Sequence, residues 1–265
     1  MSLTLGTGPL AASPGGAFNF DLDGAPKHRI FFADHPVRIR AVVGGRTVLD
    51  TVGAKLLHES NILPVAYVPL ADLDQSLLER TQTSTHCPFK GDASYWSLKL
   101  GDRVEEDLVW AYEQPLPEAA WLDGYAALHW NRVDEVYVED EPAFGRLKDP
   151  FHRVDVYQTS RPVRVRVNGA TLAESTRAKL VVETGLPPRP YLPRADLPAG
   201  VLSPSPKRTI CPYKGEATYW HLDLPDGGGR IEDAAWSYET PLPEALKAQG
   251  YLSFAGDGLE VQIDG

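Results

Sequence analysis

Two short stretches combine the residue types best suited to chemistry. Thr85-His86-Cys87-Pro88-Phe89-Lys90-Gly91-Asp92-Ala93-Ser94-Tyr95-Trp96 returns 124 residues later as Thr209-Ile210-Cys211-Pro212-Tyr213-Lys214-Gly215-Glu216-Ala217-Thr218-Tyr219-Trp220, with eight of twelve positions identical. Both cysteines of the chain occupy the same place in the two copies. A neighbouring cation lowers a thiol pKa, and burial lowers that of an ammonium, so Cys87 with Lys90 and Cys211 with Lys214 read as nucleophile or acid–base pairs. The plainer alternative is a small buried thiol and a lysine that satisfies turn carbonyls. His86 adjoins Cys87, but neighbours on an extended strand point to opposite faces, and Ile210 replaces it in the second copy, so no Cys–His dyad is expected.

A second repeated motif, Trp110-Ala111-Tyr112-Glu113 and Trp236-Ser237-Tyr238-Glu239, supplies Glu113 and Glu239 as the expected partners of Lys90 and Lys214. Lys55 and Lys179 form a further basic pair with Glu59 and Glu183, four residues on, and a structural salt bridge is open to each. Tyr67, Tyr95 and Tyr112, with their twins Tyr191, Tyr219 and Tyr238, are candidate pocket phenols. Tyr95 and Tyr219 are preferred, because the adjacent Trp96 and Trp220 lie on the opposite face, read as core. His28 and His152, in the lead-in to each copy, are candidates that approach from elsewhere, with a structural role as the alternative.

The elements that must position these residues are short. Val37 to Val42 and Val163 to Val167 alternate apolar residues with arginine and run into Gly44-Gly45 and Asn168-Gly169, a hairpin signal. Ala54 to Glu59 and Ala178 to Glu183 give a further strand. Pro-Leu-Pro-Glu-Ala at residues 115–119 and 241–245 opens the one helix of each copy, ended by Gly124 or Gly250. A last strand pair closes each copy, Tyr125 to Trp130 with Val133 to Val138 and Tyr251 to Phe254 with Leu259 to Ile263. Many short strands with one short helix predict a mainly β unit, written twice. The divisions expected are a poorly ordered leader over 1–24, a first repeat over 25–138, a linker over 139–150 and a second repeat over 151–265.

Composition narrows the partners. A formal charge of -10 and no Lys/Arg run argue against nucleic acid. No apolar run approaches the ~20 residues that cross a bilayer, and the first residues lack a signal-peptide pattern, so a cytoplasmic protein without membrane association is expected. Two cysteines, one per repeat, suit free thiols in a reducing compartment. They also fall short of the about four ligands that a structural zinc site needs, so neither a metal nor a cofactor is expected.

Tyr-x-Pro-x-x-Asp, Cys-Pro-aromatic-Lys-Gly-x-Ala-x-Tyr and Trp-x-Tyr-x-x-Pro-x-Pro-Glu together resemble the domain of unknown function DUF427, sometimes labelled nucleotidyltransferase-like. The resemblance covers roughly residues 36–140 and 162–265, and the whole is similar to the family's tandem form. It implies two small domains of the Mss4-like, or β-tent, kind. The transferase label finds no support, since there is no Gly-rich phosphate loop and no paired strand Asp for magnesium. The second copy has Arg194 where the family pattern is basic, and the first has Leu70, so any anion pocket is expected in the second. The reading is a cofactor-independent small-molecule enzyme working by acid–base or thiol chemistry. The alternative is a non-catalytic module in which Lys214, Arg194 and Tyr219 hold a small anionic ligand. Either a monomer with pseudo-twofold repeats or a homodimer is compatible.

Overall fold

The computed structural model describes residues 3–22, 24–225 and 228–264. Among the described residues strand accounts for 49% and helix for 10%, so the protein is mainly β, in two tandem halves. One compact unit ends at Asp149 and the next begins at Pro150.

The first unit contains β1 (Ile30–Asp34), β2 (Ile39–Val43), β3 (Arg46–Thr51), β4 (Lys55–Glu59), β5 (Val65–Pro69), β6 (Leu78–Cys87), β7 (Gly91–Leu100), β8 (Arg103–Ala111), β9 (Tyr125–Leu128), β10 (Glu135–Val138) and β11 (Glu141–Pro142). A seven-stranded sheet runs β1-β4-β5-β9-β8-β7-β6, and a four-stranded sheet runs β11-β10-β2-β3. Side chains alternate across a strand, so the central strands of the large sheet feed two different cores. Val68, Trp96, Val109 and Ala126 pack with Ile39, Ala41 and Leu49 of the small sheet. Their neighbours Tyr67, Tyr95, Trp110 and Ala127 turn to the other face, where Ala119 and Leu122 cover them. Trp96 thus lies on the core side read from the sequence, and the tyrosines share a second, aromatic face.

The second unit repeats the plan with β12 (Val154–Gln158), β13 (Val163–Val167), β14 (Ala170–Ser175), β15 (Lys179–Glu183), β16 (Arg189–Tyr191), β17 (Leu202–Cys211), β18 (Gly215–Asp223), β19 (Arg230–Tyr238), β20 (Ser253–Phe254) and β21 (Leu259–Ile263). Its strands form sheets β12-β15-β16, β14-β13-β21 and β17-β18-β19-β20. The first two strand groups of the large sheet, continuous in the first unit through β5 and β9, are joined here by the single bridge Leu192↔Leu252.

Four sequence expectations change. The closing strands do not pair with each other: β9 joins the large sheet beside β8, while β10 joins β2, and β20 and β21 separate in the same way. The expected helices, Pro117–Leu122 and Pro243–Ala248, are 3-10 turns, and the first contains a non-helical Ala119 at φ -118°. Six residues closed between proline and glycine are too few to offset α-helix nucleation. Residues 3–16, expected to lack order, form successive turns in which Thr4 and Ala11 are fully buried, bonded to Asn61 and Arg29. Within the stretch expected to be a linker, β11 pairs with β10. Among the described residues, no helix is long and apolar enough to cross a membrane.

Candidate functional site

The Cys-Pro-aromatic-Lys-Gly segment is the hairpin between β6 and β7, with Cys87 opposite Gly91, and its twin joins β17 to β18 with Cys211 opposite Gly215. Gly91 and Gly215 both sit at φ +103°, a conformation that a β-carbon resists. The turn is pinned by the backbone: Leu116 donates to the Lys90 carbonyl at 3.0 Å, and Leu242 to that of Lys214 at 3.1 Å. This fixes where each lysine leaves the chain and sends its side chain inward. Lys90 is 7% exposed and Lys214 9%.

The partner each lysine meets is a glutamate of the fourth strand of its repeat. Lys90 Nζ lies 2.5 Å from Glu59 Oε2, and Lys214 Nζ lies 2.5 Å from Glu183 Oε1. The other carboxylate oxygen faces a histidine, with His28 Nε2 3.2 Å from Glu59 Oε1 and His152 Nε2 3.4 Å from Glu183 Oε2. Each histidine rests on the aromatic residue of the hairpin. His28 stacks on Phe89 with ring centres 4.0 Å apart and 17° between planes, and His152 meets Tyr213 at 4.2 Å. Burial alone would raise the Glu183 carboxyl, but the His152 imidazole and the Lys214 ammonium outweigh it and hold the group down at about 2.

Around this His–Glu–Lys cluster stand the thiol and the phenols. Cys87, Tyr67, Tyr95 and Tyr112 belong to one packed group, and Cys211, Tyr191, Tyr219 and Tyr238 to its counterpart. Lys90 Nζ is 5.7 Å from the centre of the Tyr112 ring. The Tyr67 hydroxyl accepts from Trp110 Nε1 at 3.3 Å, and that of Tyr191 from Trp236 Nε1 at 3.1 Å. Tyr95 and Tyr219 exchange hydrogen bonds with Thr85 at 2.9 Å and Thr209 at 3.1 Å. Burial pushes the Tyr67 and Tyr191 hydroxyls up, against the donated indole N–H. Tyr112 and Tyr238 are pushed up by burial and then by nearby groups that include Cys87 and Glu59, or Cys211 and Glu183.

Several sequence-predicted partnerships fall elsewhere. Glu113 and Glu239 do not meet the lysines. They follow Tyr112 and Tyr238 on the opposite face, where Glu113 pairs with Arg80 at 2.7 Å and Glu239 with Arg194 at 2.6 Å. Lys55 and Lys179 do not meet Glu59 and Glu183, because four residues along a strand span roughly 13 Å rather than one helical turn. Lys55 pairs with Asp34 and lies over the Phe32 and Tyr125 rings, while Lys179 donates to Gln158 at 2.6 Å. Lys214 therefore sits beside Glu183, not beside Glu239 at a pocket floor. His86 is bound to Asp92 at 2.7 Å.

Two elements of the site escaped sequence reasoning. Glu59 and Glu183 were assigned to the wrong lysines, although the spacing held a signal: His28, Glu59 and Lys90 lie 31 residues apart in succession, and so do His152, Glu183 and Lys214. Arg80 was missed altogether. Arg194 stacks over Trp220 at 4.2 Å and donates to Ser237 at 3.0 Å beside Glu239. In the first unit, Arg80 lies 5.8 Å over Trp96 and donates to Ser94 at 2.8 Å beside Glu113. The two arginines do not correspond in sequence, since Leu70 matches Arg194, yet both end over the matched tryptophan. The first unit therefore does not lack the guanidinium that Leu70 suggested.

A family model described as a domain of unknown function, DUF427, matches residues 32–139 and again residues 155–265. No curated protein matches the chain. One match falls on each structural unit, together they span most of the sequence, and the hairpin, the glutamate strand and the tyrosine strands all lie inside them: the chain belongs to the DUF427 family and carries its domain twice.

Proposed function

We propose that each unit carries a small-molecule site at which histidine, glutamate and lysine manage a proton without a cofactor. The observation behind this reading is a repetition in space. Histidine, glutamate, lysine, cysteine and three tyrosines recur at matched positions, and both units gather them in the same arrangement. Burying a lysine–carboxylate pair costs desolvation of both ions, and well-packed apolar residues often serve stability as well or better. A fold that keeps this pair in both copies, each with a histidine on the carboxylate, is arranged for more than packing.

The chemistry follows from the geometry. Lysine occupies one carboxylate oxygen. The other oxygen accepts from His28 Nε2–H, which leaves Nδ1 as the basic nitrogen. The His28 side chain is 21% exposed and that of His152 3%, so the histidine of the first unit is the one open to a substrate proton, and stacking on Phe89 fixes its ring plane. Glutamate thus orients the base and stabilises the imidazolium that forms. Burial pushes the Tyr112 and Tyr238 hydroxyls up, so these phenols act as donors. The reading as an anion-binding wall is less well served, because Lys90, Lys214 and Arg194 each already face a carboxylate.

Proton abstraction from carbon leaves an isotopic trace. A mixture of cellular metabolites incubated with the protein in deuterium oxide is expected to show one compound gaining deuterium or converting, by mass spectrometry. The Glu59→Gln/Glu183→Gln double variant is expected to lose at least about 100-fold of that rate, in line with removal of a positioned acid–base group. An unchanged rate in the double variant, with circular dichroism showing a retained fold, would remove the cluster from the chemistry.

A further inference from the structure

The Tyr112 and Tyr238 hydroxyls stand apart from the other phenols of the site. Tyr112 is 7% exposed and Tyr238 5%. Tyr67, Tyr95, Tyr191 and Tyr219 each have a hydrogen-bond partner, but neither Tyr112 nor Tyr238 bonds to any described residue. Nor is either oxygen among the polar atoms sealed away from solvent. A nearly buried donor with no internal acceptor, kept so in both units, is open to an acceptor from outside.

We infer that the site takes an uncharged ligand whose carbonyl oxygen accepts a hydrogen bond from Tyr112 or Tyr238. The charge balance around the phenol selects against the alternatives. Each lysine is already engaged by its glutamate at 2.5 Å, so the pair carries no net charge to attract a carboxylate. An ammonium ligand would have to compete with those same lysines, and it offers the phenol no acceptor. The residues packed with the phenol are apolar and aromatic, with Leu57, Ala93, Ala127 and Trp110 in the first unit, which disfavours a charged group beside it. Protonated phenols, held so by burial, complete a donor side facing the oxygen.

This inference rests on the cluster being the ligand site, and its test is separable from that of proton chemistry. Three phenyl probes of similar size, benzamide, benzoate and benzylamine, are titrated against protein carrying 13C at the tyrosine Cζ positions. Benzamide is expected to move the Tyr112 or Tyr238 resonance and to bind at least about fivefold more tightly than either charged probe. In Tyr112→Phe/Tyr238→Phe, benzamide affinity is expected to fall about tenfold, the equivalent of one hydrogen bond, with an unchanged melting temperature. Tyr67→Phe, which orphans the Trp110 N–H, is expected to lower the melting temperature and so marks the difference between a structural phenol and a ligand-facing one. Benzoate binding as tightly as benzamide, equal benzamide affinity in the double Phe variant, or no tyrosine shift with any probe would each overturn the inference. Benzamide binding that depends on Tyr112, beside a negative deuterium screen, would retain the ligand class and remove the acid–base function; a positive screen with charged probes preferred would do the reverse.

Discussion

Glu183 is the residue on which the second unit's cluster turns. Burial opposes its charge, yet His152 and Lys214 keep the carboxyl at about 2 against an ordinary 4.5. A carboxyl pKa lowered on folding contributes stability that is fully present above about 4.5 and is lost as pH falls towards 2. The difference corresponds to about 3 kcal/mol. Urea unfolding between pH 5 and pH 2.5 is expected to show a steep loss of stability, and Glu183→Gln to flatten that slope while lowering stability at pH 7. The repeated motif makes the cysteines, Lys90, Lys214 and the tyrosines stand out in the sequence, and the structure packs them near one another in each unit. Their glutamate does not stand out, because a lysine and a carboxylate four residues apart suggest a pair, and that rule belongs to helices.

The hairpin is the element that makes the cluster possible. A β-carbon on Gly215 would lie 3.3 Å from the Thr240 carbonyl oxygen and 3.4 Å from the Leu242 nitrogen, in addition to the strain of φ +103°. Gly215→Ala is expected to cost about 1–3 kcal/mol, since neither backbone atom belongs to a flexible side chain. Chemical denaturation of that variant checks the figure, and the Lys214–Glu183 contact is expected to loosen with it, read as a shallower loss of stability in acid. Strand alternation made the two faces of β7 and β18 readable in advance, Trp on one side and Tyr on the other. Which sheet the last strands join was not readable, because short alternating strands state their faces but not their neighbours. The turns at 3–16 were missed for a related reason: Gly, Pro and Ser composition is shared by loose chain and by chain held through backbone bonds, and here Thr4 and Leu10 carbonyls accept from Asn61 and Ser60.

At the scale of the molecule, the two units are close in plan and different in how they meet acid. His35 and His58 are buried in the first unit, with the Asp149 carboxylate 4.0 Å from the His58 ring, while the matching positions are Thr159 and Val182. Burial pushes both histidines below 6.5, with Asp149 acting in the opposite direction. Their neutral forms thus favour the folded unit above about 6.5, and this contribution is lost as pH falls through the lowered values. Hydrogen exchange at pH 7.5 and pH 5.5 is expected to show protection falling in peptides spanning residues 30–59 and holding in those spanning 154–183, with His58→Val reducing the fall.

The placement of the arginines over Trp96 and Trp220 bears on how this duplicated domain is to be compared with others of its family. Aligned column against column, the two halves make the guanidinium look dispensable at position 70 and again at position 204, where Pro204 faces Arg80. In three dimensions nothing has been lost, because the charge over the ring comes from strand β6 in the first unit and from the 3-10 turn Arg194–Asp196 in the second. The two copies share a location rather than a letter, so a search for relatives of this site should ask what stands over the tryptophan, whichever part of the chain supplies it.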